Sequence, residues 1–262
     1  MKKKTSMTVL DSRQLAEGIY SLVLAYPEGE APRQVLPGQF AGLYPRDSSA
    51  LLMRPISVCR WDPAEGSIRF VYRASGRGTK NFTGLKTGDR IDMLGLLGNG
   101  YETSRMRGKR VLLMGGGIGI PPMLELAAVL KGEARSVTAV LGYRNRELFL
   151  ADEFRREAEA LIATEDGSIG TKGNVLDAVR AAGIQADVIC ACGPMPMLRA
   201  VRDFARETGA CCYISLEERM ACGIGACLGC ITKTREIDAH SHVRNARICT
   251  EGPVFAAEEI DF

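Results

Sequence analysis

Histidine is nearly absent from this chain: only His240 and His242 occur in 262 residues. Both fall in a polar stretch near the C-terminus and read as solvated side chains. Aromatic residues make up 6% of the sequence; the single tryptophan, Trp61, precedes Asp62-Pro63 and reads as packing at a strand edge. An excess of one charge is also missing. The net charge of +3 is too small to point to nucleic acid or an anionic membrane as a partner. Met1-Lys-Lys-Lys4 is followed by Thr5-Ser-Met-Thr-Val-Leu-Asp11, which supplies no apolar core for a secretory signal. One apolar stretch, 111–130, carries a single charge, Glu125. Gly115-Gly-Gly-Ile-Gly119 and Pro121-Pro122 interrupt it, so it reads as strand, loop and helix rather than a membrane span. No internal repeat or low-complexity segment is visible.

Cysteine, by contrast, is plentiful. Nine occur, an odd number in a long chain without a signal, which argues against a secreted disulfide framework and for the reducing cytoplasm. Cys222, Cys227, Cys230 and Cys249 form the pattern C-x4-C-x2-C-x18-C. That is the plant-type [2Fe–2S] spacing. Gly223, Gly225 and Gly229 lie between the ligands, where they permit positive φ and let backbone N–H groups point at sulfur. A structural zinc site is the alternative, although zinc more often takes two short C-x2-C knuckles, and here Cys249 stands alone. Cys59, Cys190, Cys211 and Cys212 read as small buried hydrophobes. Cys192 either borders a ligand site or is simply buried.

Three segments follow one another. Residues 1–105 look all-β: Ile19–Ala25 and Ser67–Arg73 have strand length, and Pro37-Gly38, Asp62-Pro63, Glu65-Gly66 and Thr87-Gly-Asp89 punctuate them. A sandwich or barrel is expected. Residues 106–210 alternate strands (111–114, 136–142, 187–192) with helices (122–131, 147–161, 195–208), which predicts a parallel α/β sheet. Residues 211–262 form a cysteine-rich tail.

Several motifs suit ligand chemistry. In Arg54-Pro-Ile-Ser57, Pro55 biases Arg54 toward an extended conformation, where Arg54 can meet a diphosphate and Ser57 can donate to a ring. A surface arginine before a turn is the plainer interpretation of that segment alone. Gly76-Arg-Gly-Thr79 can wrap an anion with backbone N–H groups, or be a flexible turn. Gly115-Gly-Gly-Ile-Gly-Ile-Pro-Pro122 joins a strand to a helix, and Cys192-Gly193-Pro194 does the same later. Two such loops in one parallel sheet lie at its carboxyl edge, where a nicotinamide nucleotide would place its pyrophosphate.

In this order, Arg54-Pro-Ile-Ser57, Gly78-Thr79, Gly115 to Gly119 and Cys192-Gly-Pro194 resemble the ferredoxin–NADP reductase superfamily. Glu218-Arg-Met-Ala-Cys222-Gly-Ile-Gly-Ala-Cys227-Leu-Gly-Cys230, Ile248-Cys249-Thr-Glu-Gly-Pro-Val-Phe255 and Thr164-Glu-Asp-Gly-Ser168 resemble one branch, the electron-transfer subunits of class 1B dihydroorotate dehydrogenases. The resemblance covers essentially the whole chain. It implies an FAD-binding antiparallel β-barrel, an NAD-binding α/β domain and a small [2Fe–2S] domain. Arg54, Pro55, Ile56, Ser57, Val71, Tyr72 and Arg73 would line FAD, with Gly78 and Thr79 on its diphosphate side. Gly115, Gly116, Gly117, Gly119, Cys192 and Gly193 would border the nicotinamide nucleotide. The four cysteines would hold the cluster.

The same resemblance implies a partner: a catalytic subunit that oxidises dihydroorotate on FMN, in a heterotetramer with two chains of each kind. Electrons would pass through the cluster and FAD to NAD⁺ in pyrimidine biosynthesis. FAD belongs between a one-electron cluster and a two-electron nicotinamide. Hydride transfer between stacked rings needs no protein acid or base, which agrees with the scarcity of histidine. The runner-up is a flavin/iron–sulfur subunit of the sulfide dehydrogenase or NADH–ferredoxin transhydrogenase type, in which an aspartate can replace the first cysteine. The residues leave NAD against NADP open. Gly142-Tyr-Arg-Asn-Arg146 ends the second α/β strand with no acid for a ribose 2′-hydroxyl, and Arg144 would suit a 2′-phosphate.

Overall fold

Alternating apolar residues in the first third fold into a closed antiparallel barrel. The computed structural model describes residues 3–47, 49–237 and 242–262; His240 lies outside these, and His242 is exposed. The barrel comprises β1 (Lys4–Ala16), β2 (Ile19–Ala25), β3 (Phe40–Leu43), β4 (Arg54–Asp62), β5 (Ser67–Arg73) and β6 (Arg90–Leu97), with α1 (Arg77–Phe82) between the last two. Its strand order is β1-β2-β5-β4-β3-β6, which leaves no free edge. Met7, Val9, Leu22, Leu24, Phe70 and Tyr72 fill its interior, and Phe82 of α1 plugs it edge-on against Tyr72 at 5.6 Å.

The second domain contains β7 (Arg110–Gly116), α2 (Ile120–Leu130), β8 (Ser136–Tyr143), α3 (Ala151–Glu157), β9 (Glu159–Thr164), β10 (Thr171–Lys172), α4 (Val175–Ala181), β11 (Val188–Cys192), α5 (Met195–Thr208) and β12 (Cys211–Ser215). After the cysteine loop come β13 (Ile231–Lys233), β14 (Asn245–Arg247) and β15 (Val254–Ala256). The sheet order is β10-β9-β8-β7-β11-β12-β15, parallel except for β15. Chain order runs one way from β7 to β9 and the other way from β11 to β12. The switch point therefore lies between β7 and β11, where their following loops part to leave a crevice.

Three sequence expectations change. The helix expected over 147–161 is only α3, because 159–164 pairs in register with β8, Thr138 opposite Glu159 through Tyr143 opposite Thr164. The sheet runs past residue 210: β12 lies parallel to β11, and β15 returns from the tail to join it. Cys211, expected to be buried, opens β12 exposed.

The two domains meet along α2 and β4. Nine of the 11 residues of α2 are buried, because the helix faces the sheet on one side and the barrel on the other. Cys59 and Val71 of the barrel share one core with Met123, Leu124 and Leu126 of α2. Glu125 is the one charge on α2, and its carboxylate accepts from the Trp61 backbone N–H at 3.1 Å. Arg60 to Glu157 (2.8 Å) and Arg69 to Glu153 (2.6 Å) bridge the same boundary. Among the described residues no helix is long and apolar enough to cross a membrane.

Burial holds the Glu125 carboxyl above its ordinary value of 4.5, with the Trp61 N–H and Arg60 opposing. The folded chain keeps this proton to higher pH than the unfolded chain, so ionisation removes stability as pH rises above that value. Glu125→Gln retains the acceptor and is expected to be at least as stable as wild type at pH 8, with less pH dependence from pH 5 to 8. Glu125→Leu strands the Trp61 N–H and should lose about 1–3 kcal/mol. Urea unfolding at both pH values measures these differences.

Candidate functional site

Two clefts of about 790 Å³ each open along this domain boundary. The first is built on the barrel. Arg54, Pro55, Ile56 and Ser57 of β4, Val71, Tyr72 and Arg73 of β5, and Thr79 of α1 all line it. The Tyr72 hydroxyl is buried without a hydrogen-bond partner among the described residues, and burial pushes its pKa up. An unpartnered buried hydroxyl in the wall of a cleft calls for a polar group on a bound molecule.

Gly78 stands outside the lining. A Cβ there would come 2.3 Å from Arg54 Nε, so Gly78 serves by letting the arginine side chain lie across its backbone. The Gly76-Arg-Gly-Thr79 segment, read from the sequence as either an anion wrap or a flexible turn, is instead the entry to α1. Thr79 Oγ1 accepts from the Ser75 and Gly76 N–H groups, each at 3.1 Å.

The second cleft follows the carboxyl edge of the sheet. Gly116, Gly117, Gly119 and Gly193 line it. Gly119 is required by close approach: a Cβ would lie 2.3 Å from the Cys192 carbonyl oxygen of the neighbouring loop. Gly117, at φ +55°, makes the turn. Pro121 and Pro122 sit in the first turn of α2, where a missing N–H costs no helical bond. Gly115 and Cys192 do not reach the opening. They pair in register inside the sheet, and Cys192 is fully buried, which pushes its thiol well above the ordinary range.

Sequence motifs missed part of this cleft: Glu17 and Gly18 from the β1–β2 turn, Glu165 after β9, Asn174 before α4, and Glu217 after β12; Arg144, read from the sequence as suited to a 2′-phosphate, lines it with Asn145. Arg73, Ser75, Ile118 and Glu217 line both clefts, so the two are continuous. Glu217 is exposed to them but ringed by protein, which raises its carboxyl pKa, with Arg73 pulling it down.

The cysteine loop begins beside the barrel cleft. Glu218, Arg219 and Met220 line that cleft, and Cys222 follows two residues later. All nine cysteines are free. No three His, Cys, Asp or Glu side chains among the described residues gather around one point as a site for a single metal ion. The Cys222 thiol lies beside Cys227, and the Cys249 thiol lies beside Cys230 and within electrostatic reach of Cys222. Two thiol pairs suit a two-iron cluster better than one tetrahedral zinc. Backbone N–H groups of Ile224 and Gly229 reach Cys222 Sγ and Cys227 Sγ, both at 3.4 Å. Desolvation raises the Cys222 thiol, but N–H groups of Ile224, Cys227 and Ala226 outweigh it and bring the pKa to about 6. Such donors favour thiolate ligands. The glycines serve this wrapping: Gly223 and Gly225 have φ of +67° and +84°.

A closed barrel beside a parallel sheet, with continuous clefts at the boundary, is the ferredoxin–NADP reductase-like class of flavin-linked oxidoreductase. An NADH-dependent reduced ferredoxin-NADP oxidoreductase, studied for flavin-based electron bifurcation, superposes with a TM-score of 0.85 at 30% identity, over 97% of this chain and 89% of that one. A ferredoxin NADP⁺ reductase from Neisseria gonorrhoeae shares the fold, with a TM-score of 0.67 at 18% identity over 84% and 95% of the two chains. Residues 217–261 match the iron–sulfur cluster binding domain of dihydroorotate dehydrogenase B. The electron transfer subunit of dihydroorotate dehydrogenase B (NAD(+)) from Bacillus velezensis is 41% identical, over 98% of this chain and 99% of the relative. That of Caldanaerobacter subterraneus subsp. tengcongensis is 40% identical over the full length of both. The chain belongs to the family of dihydroorotate dehydrogenase B (NAD(+)) electron transfer subunits. These identities also favour that family over the transhydrogenase type, which the bifurcating relative approaches at 30%.

Gly119→Ala forces the β7–α2 and β11–α5 loops apart. Overpacking of about 1–3 kcal/mol corresponds to roughly five- to 150-fold weaker nicotinamide nucleotide binding. NADH titration should show this loss while the flavin absorbance of the purified protein stays at the wild-type level.

Proposed function

We propose that this chain takes electrons from the FMN of a catalytic dihydroorotate-oxidising subunit and delivers them to NAD⁺, in an assembly with two chains of each kind in the reducing cytoplasm. The observation that carries this proposal is spatial continuity. The nucleotide cleft opens into the barrel cleft through Arg73 and Glu217, and Met53 in the wall of the barrel cleft packs against the cysteine loop. A Cβ on Gly223 would lie 2.5 Å from Met53 Cε. When bound, a [2Fe–2S] cluster supplies one-electron transfer, and FAD supplies the change from single electrons to a hydride.

The residues divide the work. Cys222, Cys227, Cys230 and Cys249 hold the cluster. Arg54 and Thr79 face the flavin diphosphate, Ser57 and the β5 residues Val71 and Tyr72 border the flavin, and Gly78 keeps Arg54 in place. Gly116, Gly117 and Gly119 receive the pyrophosphate of NAD⁺, and Gly193 borders its nicotinamide end. Arg73 and Glu217 stand where the flavin and nicotinamide meet; their opposite charges make that junction polar without supplying a base that the reaction needs. Gly115 and Cys192 support the loops from behind.

The cysteine loop also presents an apolar rim to solvent: Ile224, Leu228 and Ile231 are 48%, 59% and 46% exposed around the exposed Cys227. Such a rim suits a subunit contact beside an electron entry point.

Cys227→Ser is expected to lose the iron–sulfur absorbance and EPR signal, retain the flavin band, and abolish dihydroorotate-dependent NAD⁺ reduction when co-purified with the catalytic subunit. Wild-type turnover without the cluster would overturn the proposed route. Tyr72→Phe should weaken FAD binding to the apoprotein by up to about tenfold, the value of one lost hydrogen bond. Flavin fluorescence titration measures it.

A further inference from the structure

The family's preference for NAD⁺ needs a physical cause that the strand ending in Tyr143-Arg144 does not supply. The cleft itself indicates where to look. Its inner end, at Arg73 and Glu217, opens toward the flavin, so the nicotinamide half of a dinucleotide lies there. The pyrophosphate falls at Gly116 to Gly119, between β7 and α2. The adenosine half must then run along the sheet edge in the other direction, over the ends of β8 and β9. Arg144, Asn145, Glu165, Gly173 and Asn174 line that outer end.

Four carboxylates line the cleft: Glu217 at its inner end, Glu17 and Glu147 at the β1–β2 turn, where Glu147 accepts from the Glu17 N–H at 3.3 Å, and Glu165. Glu165 follows β9, and its backbone N–H donates to the Tyr143 carbonyl at 3.1 Å, which fixes it beside the end of β8. Its neighbour Asp166 is already engaged, accepting from the Ser168 N–H at 2.9 Å and bonded through its own N–H to the Arg144 carbonyl at 3.3 Å. The Glu165 carboxylate and the Arg144 guanidinium bond to no described group. An acid that meets a ribose 2′-hydroxyl normally ends the second strand of such a sheet. Here the neighbouring strand places one in the same cleft.

We infer that Glu165 sets the dinucleotide preference: its carboxylate accepts a hydrogen bond from the adenosine ribose and repels a 2′-phosphate. This inference rests on the nucleotide reading of the cleft. Arg144 carries the opposite bias, so the outer end holds both an anion-repelling and an anion-attracting group. Removing the Glu165 charge leaves Arg144 unopposed.

Calorimetric titration of the purified flavin- and cluster-loaded chain with 5′-ADP and 2′,5′-ADP tests this without turnover. Wild type should bind 5′-ADP more tightly than 2′,5′-ADP. Glu165→Gln, a conservative change at an exposed position, should tighten 2′,5′-ADP by roughly tenfold or more, the effect of relieving a like-charge contact. It should also weaken 5′-ADP a few-fold. Adding Arg144→Ala should abolish the gain for 2′,5′-ADP. A ratio of the two affinities that stays within twofold of wild type in Glu165→Gln would overturn the assignment. Failure of wild type to bind 5′-ADP at all would be a different result, overturning the nucleotide reading beneath it.

Discussion

The contact between α2 and β4 is the constraint on which the rest of the molecule depends. α2 begins at the glycine loop of the nucleotide cleft, and β4 begins at Arg54 in the barrel cleft. Because the two elements are locked side by side, the positions of the two clefts follow from one packed seam. Hydride transfer needs its rings held in near-contact with little freedom left to lose. A helix apolar on nearly every side is what such a seam requires, since both faces are buried. The single carboxyl on α2, Glu125, is tolerated because a backbone donor meets it; unpartnered, its burial would oppose the docking of the domains.

The cysteine segment is tied to both domains rather than appended to one. Asn99, in the linker between β6 and β7, donates through Nδ2 to the carbonyls of Glu251 and Val254 at 2.9 and 2.8 Å and accepts from the Val254 N–H at 3.0 Å. β15 then pairs with β12 and anchors the tail to the sheet. Phe40, Met53 and Leu97 of the barrel share a core with Cys230, Ile248 and Cys249. A segment of small strands and glycine turns has little core of its own, and these borrowed contacts hold it.

Much of this was legible in the sequence because the signals were local. The strands Ile19–Ala25 and Ser67–Arg73 and the helix Met195–Thr208 follow simple periods or clear stops, and the structure has them at those bounds. The cysteine spacing indicates a cluster because the ligands of one loop are close in sequence. Residues 147–161 misled because Glu159-Ala-Leu-Ile-Ala-Thr164 has no strand partner until β8 lies beside it. Glu217, and the place of Glu165 in the cleft, escaped notice for the same reason. Each follows a strand whose neighbours, and hence whose cleft, exist only in three dimensions. Gly78, Gly115 and Cys192 show the converse: they belong to recognisable motifs yet stand behind the lining and shape it.

The glycines explain why a chain with so little acid–base equipment can still be built for transfer. Gly119 brings the β7–α2 loop against the Cys192 carbonyl, and Gly98 lets the linker meet Pro253, where a Cβ would come 2.6 Å from Cδ. Gly42 and Gly223 accept the Met53 side chain from opposite sides, at 2.3 Å from Sδ and 2.5 Å from Cε for an added Cβ. At Gly98 and Gly223 a methyl group would push two modules apart, and at Gly119 and Gly42 it would push apart two segments of one module. Close-packed interiors transmit such strain instead of absorbing it. The spacing between nucleotide cleft, barrel cleft and cysteine loop is therefore written mainly in residues without side chains. Transfer of electrons between carriers depends on that spacing more than on any titrating group, which is why the chain can do without histidine.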